Sequence, residues 1–203
     1  MKRHLMMTVA VLALAPTLAF AEAPVVATPG ASGQMAPAAD AGNMTAKGAA
    51  SDSTAVQLAT PTYVEKAATG DMFEIESSKL ALEKSKNADV KAFAKMMVSA
   101  HTKTTKELTA AVKAEKIDVA IPAKLDDEHE AKLAKLKDLS GAEFDKAYMD
   151  AQVEGHQAAL EVHQRYAASG DNAKLKLWAG KTAKTVQMHL TKAESLDKTV
   201  GKS

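Results

Sequence analysis

Four polar residues fall at similar heights on four predicted long helices: Glu74, His101, His156 and His189. Imidazole nitrogens and carboxylate oxygens are common ligands of transition metals, and three histidines with one carboxylate suit Zn, Cu, Ni or Fe. Counted along their helices, all four residues lie within about five residues, roughly 8 Å, of one level. The spacing therefore predicts one candidate site in mid-bundle, with one residue from each long helix.

Two other interpretations of these residues stay open. The first is a buried polar network, in which the imidazoles bond one another, Glu74 and neighbours such as Thr104 and Gln152, since buried histidines usually find such partners. The second is a ferritin-type di-iron centre, which needs Glu-x-x-His motifs on two helices. It is disfavoured because the residues three positions before the histidines are all valines: Val98, Val153 and Val186.

The elements that position these residues are predicted from hydrophobic periodicity and helix-capping patterns. Four long helices and a short one are expected, over about 62–86, 88–115, 124–138, 140–168 and 171–200. The short helix is expected to turn three leucines inward: Leu125, Leu133 and Leu136. The composition agrees, because Ala, Lys and Leu are abundant and aromatic residues make up only 4%, which favours helices over a sheet sandwich.

Several residues are predicted to begin or end these helices. Capping boxes are expected at two sites, Thr62 with Glu65 and Ser140 with Glu143, because a hydroxyl and a carboxylate three residues apart bond each other's backbone N–H groups. Three more caps are expected, with N-caps at Asn87 and Asp171 and a C-cap at Gly170.

The connections predict a four-helix bundle with the short helix between the second and third long helices. Short turns near 87 and 170 make two antiparallel hairpins, while the connection over 116–140 is long enough to cross the bundle. An up-down bundle and a crossover bundle both remain open.

The first 21 residues have the pattern of a secretory signal peptide. Lys2 and Arg3 precede an apolar run over 5–18, and a small-x-small site ends at Ala21, after which cleavage is expected. Residues 22–59 are rich in Ala, Pro and Gly and predict a disordered linker, because such a segment buries too little apolar area to offset its ordering entropy. The helical domain is expected over 60–200, and the mature protein is expected in the periplasm without a membrane span.

Composition disfavours several function classes. The chain has no cysteine, which rules out disulfides and thiolate metal sites. Its net charge of +1 gives no excess that would attract nucleic acid. No catalytic triad signature, phosphate-binding glycine loop or zincin motif is found. A non-catalytic protein is therefore expected.

Parts of the domain resemble an exported bacterial family catalogued as domain of unknown function 4142. The matching segments are Gly70 to Glu76, Val90 to Ala94 with Met97 and His101, Ser140 to Asp145 with His156, and His189-Leu190. The resemblance covers about 60–199 and implies a ferritin-like helical fold, but no activity. The chain departs from the pattern at Ala100, where an Asp is expected.

Two functions are consistent with these features. The first is a non-catalytic envelope protein that binds a partner protein or a small ligand. The alternative is a periplasmic protein that binds or senses a metal ion through the mid-bundle Glu and His residues, or that senses pH through the same histidines, since buried neutral imidazoles must take up protons in acid.

Overall fold

The computed structural model of the chain describes residues 57–200. This part of the chain forms five α-helices and no strand: α1 (Thr60–Lys84), α2 (Ala88–Ala114), α3 (Asp127–Asp138), α4 (Gly141–Ser169) and α5 (Ala173–Val200). None of these helices has the length and apolar character needed to cross a membrane. The predicted signal peptide and almost all of the predicted linker lie outside the described residues.

The helix starts agree with the sequence at α2 but not at the two capping boxes. Asn87 accepts hydrogen bonds from the backbone N–H groups of Asp89 and Val90, as predicted. α1 instead begins at Thr60, two residues before the predicted cap, with Pro61 in its first turn. Proline favours this position because its fixed φ suits a helix and its missing N–H would have no helical partner. Ser140 precedes α4, but its hydroxyl caps no backbone group.

The turn between α4 and α5 corrects a further prediction. Gly170 is the C-cap of α4, where its N–H bonds the carbonyl of Tyr166. Asn172, not Asp171, caps α5, since its side chain accepts from the backbone N–H of Leu175 at 2.9 Å. The carboxylate of Asp171 is engaged elsewhere and accepts hydrogen bonds from the hydroxyls of Thr60 and Tyr166.

Side-chain contacts give the directions of the long helices. At one end Tyr63 bonds His163, and at the other Ser78 bonds Tyr148, so α1 and α4 are antiparallel. The end of α2 pairs with the start of α5 through Glu115 and Lys174. Because α1 and α2 are also antiparallel neighbours, α2 and α4 run parallel. Of the two topologies left open by the sequence, these directions are those of the crossover.

The segment that crosses over includes α3, which packs on α1 and α4. The three leucines predicted to face inward are all buried: Leu125, Leu133 and Leu136. This helix begins after Asp126, whose carboxylate accepts from the backbone N–H of His129 at 2.8 Å. Because α3 packs on both α1 and α4, its start lies at the side of the domain where these two helices meet.

The core consists of two apolar clusters with buried polar residues between them. One cluster contains Phe93, Phe144 and Tyr148, and the other contains Tyr63 and Tyr166. The polar layer between them contains Asp71, Glu74, His101, Gln152, His156, Thr182 and His189, all buried. Such a layer is costly unless its polar atoms find partners, so the contacts of each member decide what the layer does.

Candidate metal centre

Three of the four predicted residues converge in this layer. One ring nitrogen from each of His101 on α2, His156 on α4 and His189 on α5 lies within 4.8 Å of the other two. Their ring centroids are 5.5–5.6 Å apart, and the residues are only 5%, 1% and 8% exposed.

Glu74 lies beside this group and contacts the opposite side of one ring. Its Oε1 is 3.6 Å from His156 Nδ1, while its Oε2 is buried and has no hydrogen-bond partner in the part of the chain that the structure describes. The approach depends on Gly155, because a Cβ at that position would lie 2.6 Å from Oε1. The structure therefore places Glu74 next to the three histidines, but outside the set of ligand atoms that lie within 4.8 Å of one another.

The sequence analysis missed Asp71, one turn before Glu74 on α1. Its Oδ1 accepts a hydrogen bond from His101 Nδ1 at 2.7 Å, and its Oδ2 accepts from the hydroxyl of Thr105. Metal-binding histidines usually donate their second ring N–H to a carboxylate or carbonyl in this way. The available signal was the spacing of Asp71 and Glu74, since residues three apart share a helix face. A carboxylate therefore reaches His101 from α1.

Hydrogen bonds leave ring nitrogens free on two histidines. His156 Nδ1 lies 2.7 Å from the carbonyl oxygen of Gln152. A carbonyl can only accept, so Nδ1 carries the hydrogen and Nε2 of the neutral ring has a free lone pair. His101 likewise uses Nδ1 toward Asp71. Among residues 57–200, no hydrogen-bond partner is found for the buried Nε2 atoms of both rings or for Nδ1 of His189.

Burial and neighbouring charges set the protonation of the rings. Burial, with the nearby positive charge of His101, lowers the pKa of His156 to about 3 and that of His189 to about 4. Burial also opposes protonation of His101, but the hydrogen bond to Asp71 and the two nearby carboxylates outweigh it and raise its pKa. Burial raises the pKa of Glu74 to about 7. Two of the three imidazoles are therefore neutral at pH 7, the form that binds metals.

The predicted polar network is only partly formed. Thr104 donates its hydroxyl to the backbone carbonyls of Ala100 and His101, not to an imidazole. The side chain of Gln152 donates to Ser77, so its contact with His156 is through the backbone. His156 meets the other two imidazoles edge to face, the rings of His101 and His189 are tilted by 54°, and no hydrogen bond joins the three rings in the described part of the chain. The unpaired ring nitrogens distinguish this layer from a fully bonded network.

A cavity of about 270 Å³ lies next to these residues. It is lined by the three histidines, Asp71 and Glu74, and it extends to exposed residues at the start of α3 and on α1 and α4: Lys66, Glu128 and Glu154. The cavity therefore links the polar layer with the protein surface.

The donor set fits one transition-metal ion. Three nitrogens no more than 4.8 Å apart lie within about 2.8 Å of a common centre, and metal–imidazole bonds are about 2.0–2.1 Å long. An inward movement of roughly 0.8 Å per ring, within the range of a small χ adjustment, closes this difference. Asp71 and the Gln152 carbonyl would keep two of the rings in the required orientation.

Comparison with solved structures finds two groups of proteins with a similar fold. CopM in its Cu(II)-bound form superposes with a TM-score of 0.60 and 14% identity, over 70% of this chain and 98% of CopM. A DUF305 fragment from Deinococcus radiodurans gives 0.59 and 14%, over 67% and 93%. Silver-bound CopM gives 0.58 and 13%, over 70% and 98%. At these identities the likeness concerns the fold alone.

A search of curated proteins finds no match. Comparison with models of sequence families, in contrast, assigns the chain to a family. The model of a domain of unknown function, DUF4142, matches residues 45–196. This range contains α1 to α4, most of α5 and all of the candidate site residues, and it confirms the resemblance noted in the sequence. The chain belongs to the DUF4142 family.

Proposed function

We propose that this chain is an exported, non-catalytic protein that binds one transition-metal ion through His101, His156 and His189. The proposal is carried by three converging histidines, each of which has a buried ring nitrogen without a hydrogen-bond partner among the described residues. Each unpaired buried polar atom costs about 1–3 kcal/mol, and a bound ion would give all three a partner at once. This observation favours metal binding over the partner-protein and small-ligand versions of the envelope protein expected from the sequence.

Copper is the first candidate among the four metals that suit the residues. Imidazole suits Cu, Zn, Ni and Fe, but a given site generally binds divalent copper most tightly. The structurally similar CopM was solved with Cu(II) and with silver, and this supports the choice. The absence of cysteine removes the thiolate ligands that most often hold structural zinc.

The setting of the site is part of the proposal. The predicted signal peptide supports export to the periplasm, where the four long helices would form a ferritin-like bundle. A single ion is proposed because the helices lack the bridging carboxylates of a di-iron site, with valine at position 98, 153 and 186. No catalytic motif supports an enzymatic role.

Metal content tests the proposal directly. The mature chain, without a histidine tag, is exposed to Cu, Zn, Ni or Fe(II), desalted, and analysed for metal per chain. We expect about one copper per chain, lost in His101→Ala and in His189→Ala. His129→Ala is the matched control, because His129 lies outside the three-histidine group. A wild-type chain that retains no metal, or equal retention in all three variants, would contradict the assignment.

A further inference from the structure

The three histidines leave part of a metal's coordination sphere free. We infer that an ion held by His101, His156 and His189 keeps one open position that faces the cavity and takes a small neutral nitrogen ligand, such as an imidazole. The inference rests on the metal site proposed above and concerns the ligand that the site accepts.

The number of protein ligands indicates an open coordination position. Structural metal sites are usually closed by four protein ligands, whereas sites with three keep a position for water or an exchangeable ligand. Here the group of converging ligand atoms contains three histidines. Glu74 approaches His156 from the Nδ1 side, while the free nitrogen of that ring is Nε2. The carboxyl group of Glu74 therefore stands across the ring from the atom that would bind the ion.

The cavity is large enough for an added ligand. The space of about 270 Å³ is lined by all three histidines, and an engineered cavity of about 150 Å³ is enough to hold a benzene molecule. An imidazole is smaller than benzene, so an ion and an imidazole fit together. The outer end of the cavity is lined by exposed Lys66 and Glu154, which gives a small molecule a route inward without unfolding of the domain.

An unsatisfied polar atom selects the class of ligand. Glu74 Oε2 is buried without a hydrogen-bond partner and its residue lines the same cavity. The ionised carboxylate of Glu74 only accepts hydrogen bonds, so in this form Oε2 is satisfied by a ligand that donates an N–H group. Imidazole offers one nitrogen lone pair to the ion and one N–H to such an acceptor. A simple anion such as azide has a lone pair but no donor, and it would leave Oε2 of the ionised carboxylate unpaired.

Electron paramagnetic resonance of the Cu(II)-loaded mature chain tests the inference. Imidazole labelled with ¹⁵N is added, and an aliquot is desalted and analysed for copper. We expect an additional nitrogen coupling that changes with the isotope, saturable binding of imidazole, and at least tenfold weaker binding of azide. Retained copper with an unchanged spectrum would overturn this inference but leave the metal site intact. Failure to load copper would overturn both, and azide binding as strong as imidazole would overturn the ligand class.

A pair of variants locates the added ligand. Ala159 lines the cavity, whereas Ala168 lies exposed on the same helix outside the lining. Ala159→Leu should reduce imidazole affinity at least about fivefold with the copper content unchanged, since it fills space that the ligand needs. Ala168→Leu adds the same volume elsewhere and should bind imidazole like the wild type. Equal binding in the two variants would show that the ligand does not enter this cavity, against the inference.

Discussion

Asp71 on α1 accepts a hydrogen bond from His101 Nδ1 on α2 across 2.7 Å, and both side chains are buried. This contact fixes the orientation of the imidazole, whose Nε2 is buried without a hydrogen-bond partner among the described residues. A carboxylate at this position also increases the electron density of the ring that it holds. The pair therefore links the packing of α1 against α2 with the ligand properties of His101.

Replacement of this carboxylate should weaken metal binding without removing a ligand. We expect Asp71→Asn to lower copper affinity about 10–100-fold, the usual effect of losing the partner of a metal-binding histidine. Competition with a chromophoric copper chelator measures the change. Glu65→Gln, an exposed acid on the same helix, is the matched control. Equal affinities in the two variants would mean that Asp71 has no influence on the site.

The metal-free protein should lose stability in mild acid. The folded-state pKa values of His156, His163 and His189 are lowered to about 3, 4 and 4, mainly by burial. Unfolded histidine titrates near 6.5, so the unfolded chain binds more protons as the pH falls below that value. Stability from these residues is full above about pH 6.5 and is lost progressively toward pH 4.

Two residues of the layer oppose this trend, His101 above about pH 6.5, because its pKa is raised, and Glu74 at lower pH. The pKa of Glu74 is raised to about 7, so the folded state gains its proton first, and this stabilises the fold as the pH falls from about 7 to 4.5. The destabilising effect of the three histidines outweighs the stabilising effect of Glu74. The free energy of unfolding should therefore fall by roughly 2–3 kcal/mol per pH unit between pH 6 and 4.5. Urea denaturation at pH 7.5, 6 and 5, with chelator present, measures it. An unchanged free energy of unfolding would refute the prediction and any role in pH sensing.

A bound ion should stabilise the fold through the three histidines. At a free copper concentration 100 times the dissociation constant, the expected gain is about 2.7 kcal/mol, or a rise of roughly 5–10 °C in Tm for a domain of this size. Scanning calorimetry with copper and with chelator gives the difference. The shift should vanish in His189→Ala and persist in His129→Ala. The same shift in both variants would place the bound copper elsewhere.

Two glycines inside long helices should respond differently to alanine. A Cβ at Gly180 would meet only Ala167 Cβ at 3.7 Å, an ordinary contact, so Gly180→Ala should stabilise by about 0.5–1 kcal/mol. At Gly155 the added Cβ would lie 2.6 Å from Glu74 Oε1, and the buried carboxyl would have to move. We expect Gly155→Ala to be at least about 1 kcal/mol less stable than Gly180→Ala, as measured by urea denaturation.

A double variant separates the clash from other effects at this position. If the contact with Glu74 causes the loss of stability, Gly155→Ala should cost much less in a Glu74→Ala background than in the wild type. The two residues share a contact, so the effects of their substitutions do not add. A loss of the same size in the presence and in the absence of Glu74 would assign the cost to another neighbour.

The sequence predicted the helices and the height of the histidines along them well. Helices follow from the hydrophobic period, and height follows from the rise per residue. His101 and His189 lie on apolar faces of α2 and α5, and helix period alone turns them inward. Asp71 was missed because its role depends on how α1 is rotated against α2, which periodicity does not specify. Glu74 was placed at the correct level, but helix rise says nothing of the side from which a carboxyl meets a ring.

The helix caps were the least predictable feature, for a related reason. A residue such as Asp171 has the right chemistry for an N-cap, yet its carboxylate bonds Thr60 and Tyr166 from two other helices. Local patterns identify which residues can cap, but tertiary hydrogen bonds compete for the same oxygen atoms. In the described part of the chain, the side-chain oxygen of Asn87 accepts hydrogen bonds from the first turn of α2 and from no other helix, and there the local prediction is confirmed.

The parallel course of α2 and α4 has a consequence for the order in which the site assembles. Each of the hairpins α1–α2 and α4–α5 is closed by a short connection and can form from local contacts, whereas docking one on the other requires closure of the long crossover loop. His156 and His189 belong to the second hairpin, and His101, with its partner Asp71, belongs to the first. The complete ligand set therefore exists only after the two halves have docked. An ion held by all three histidines would act as a noncovalent cross-link between the halves, and it would slow their separation more than the opening of either hairpin.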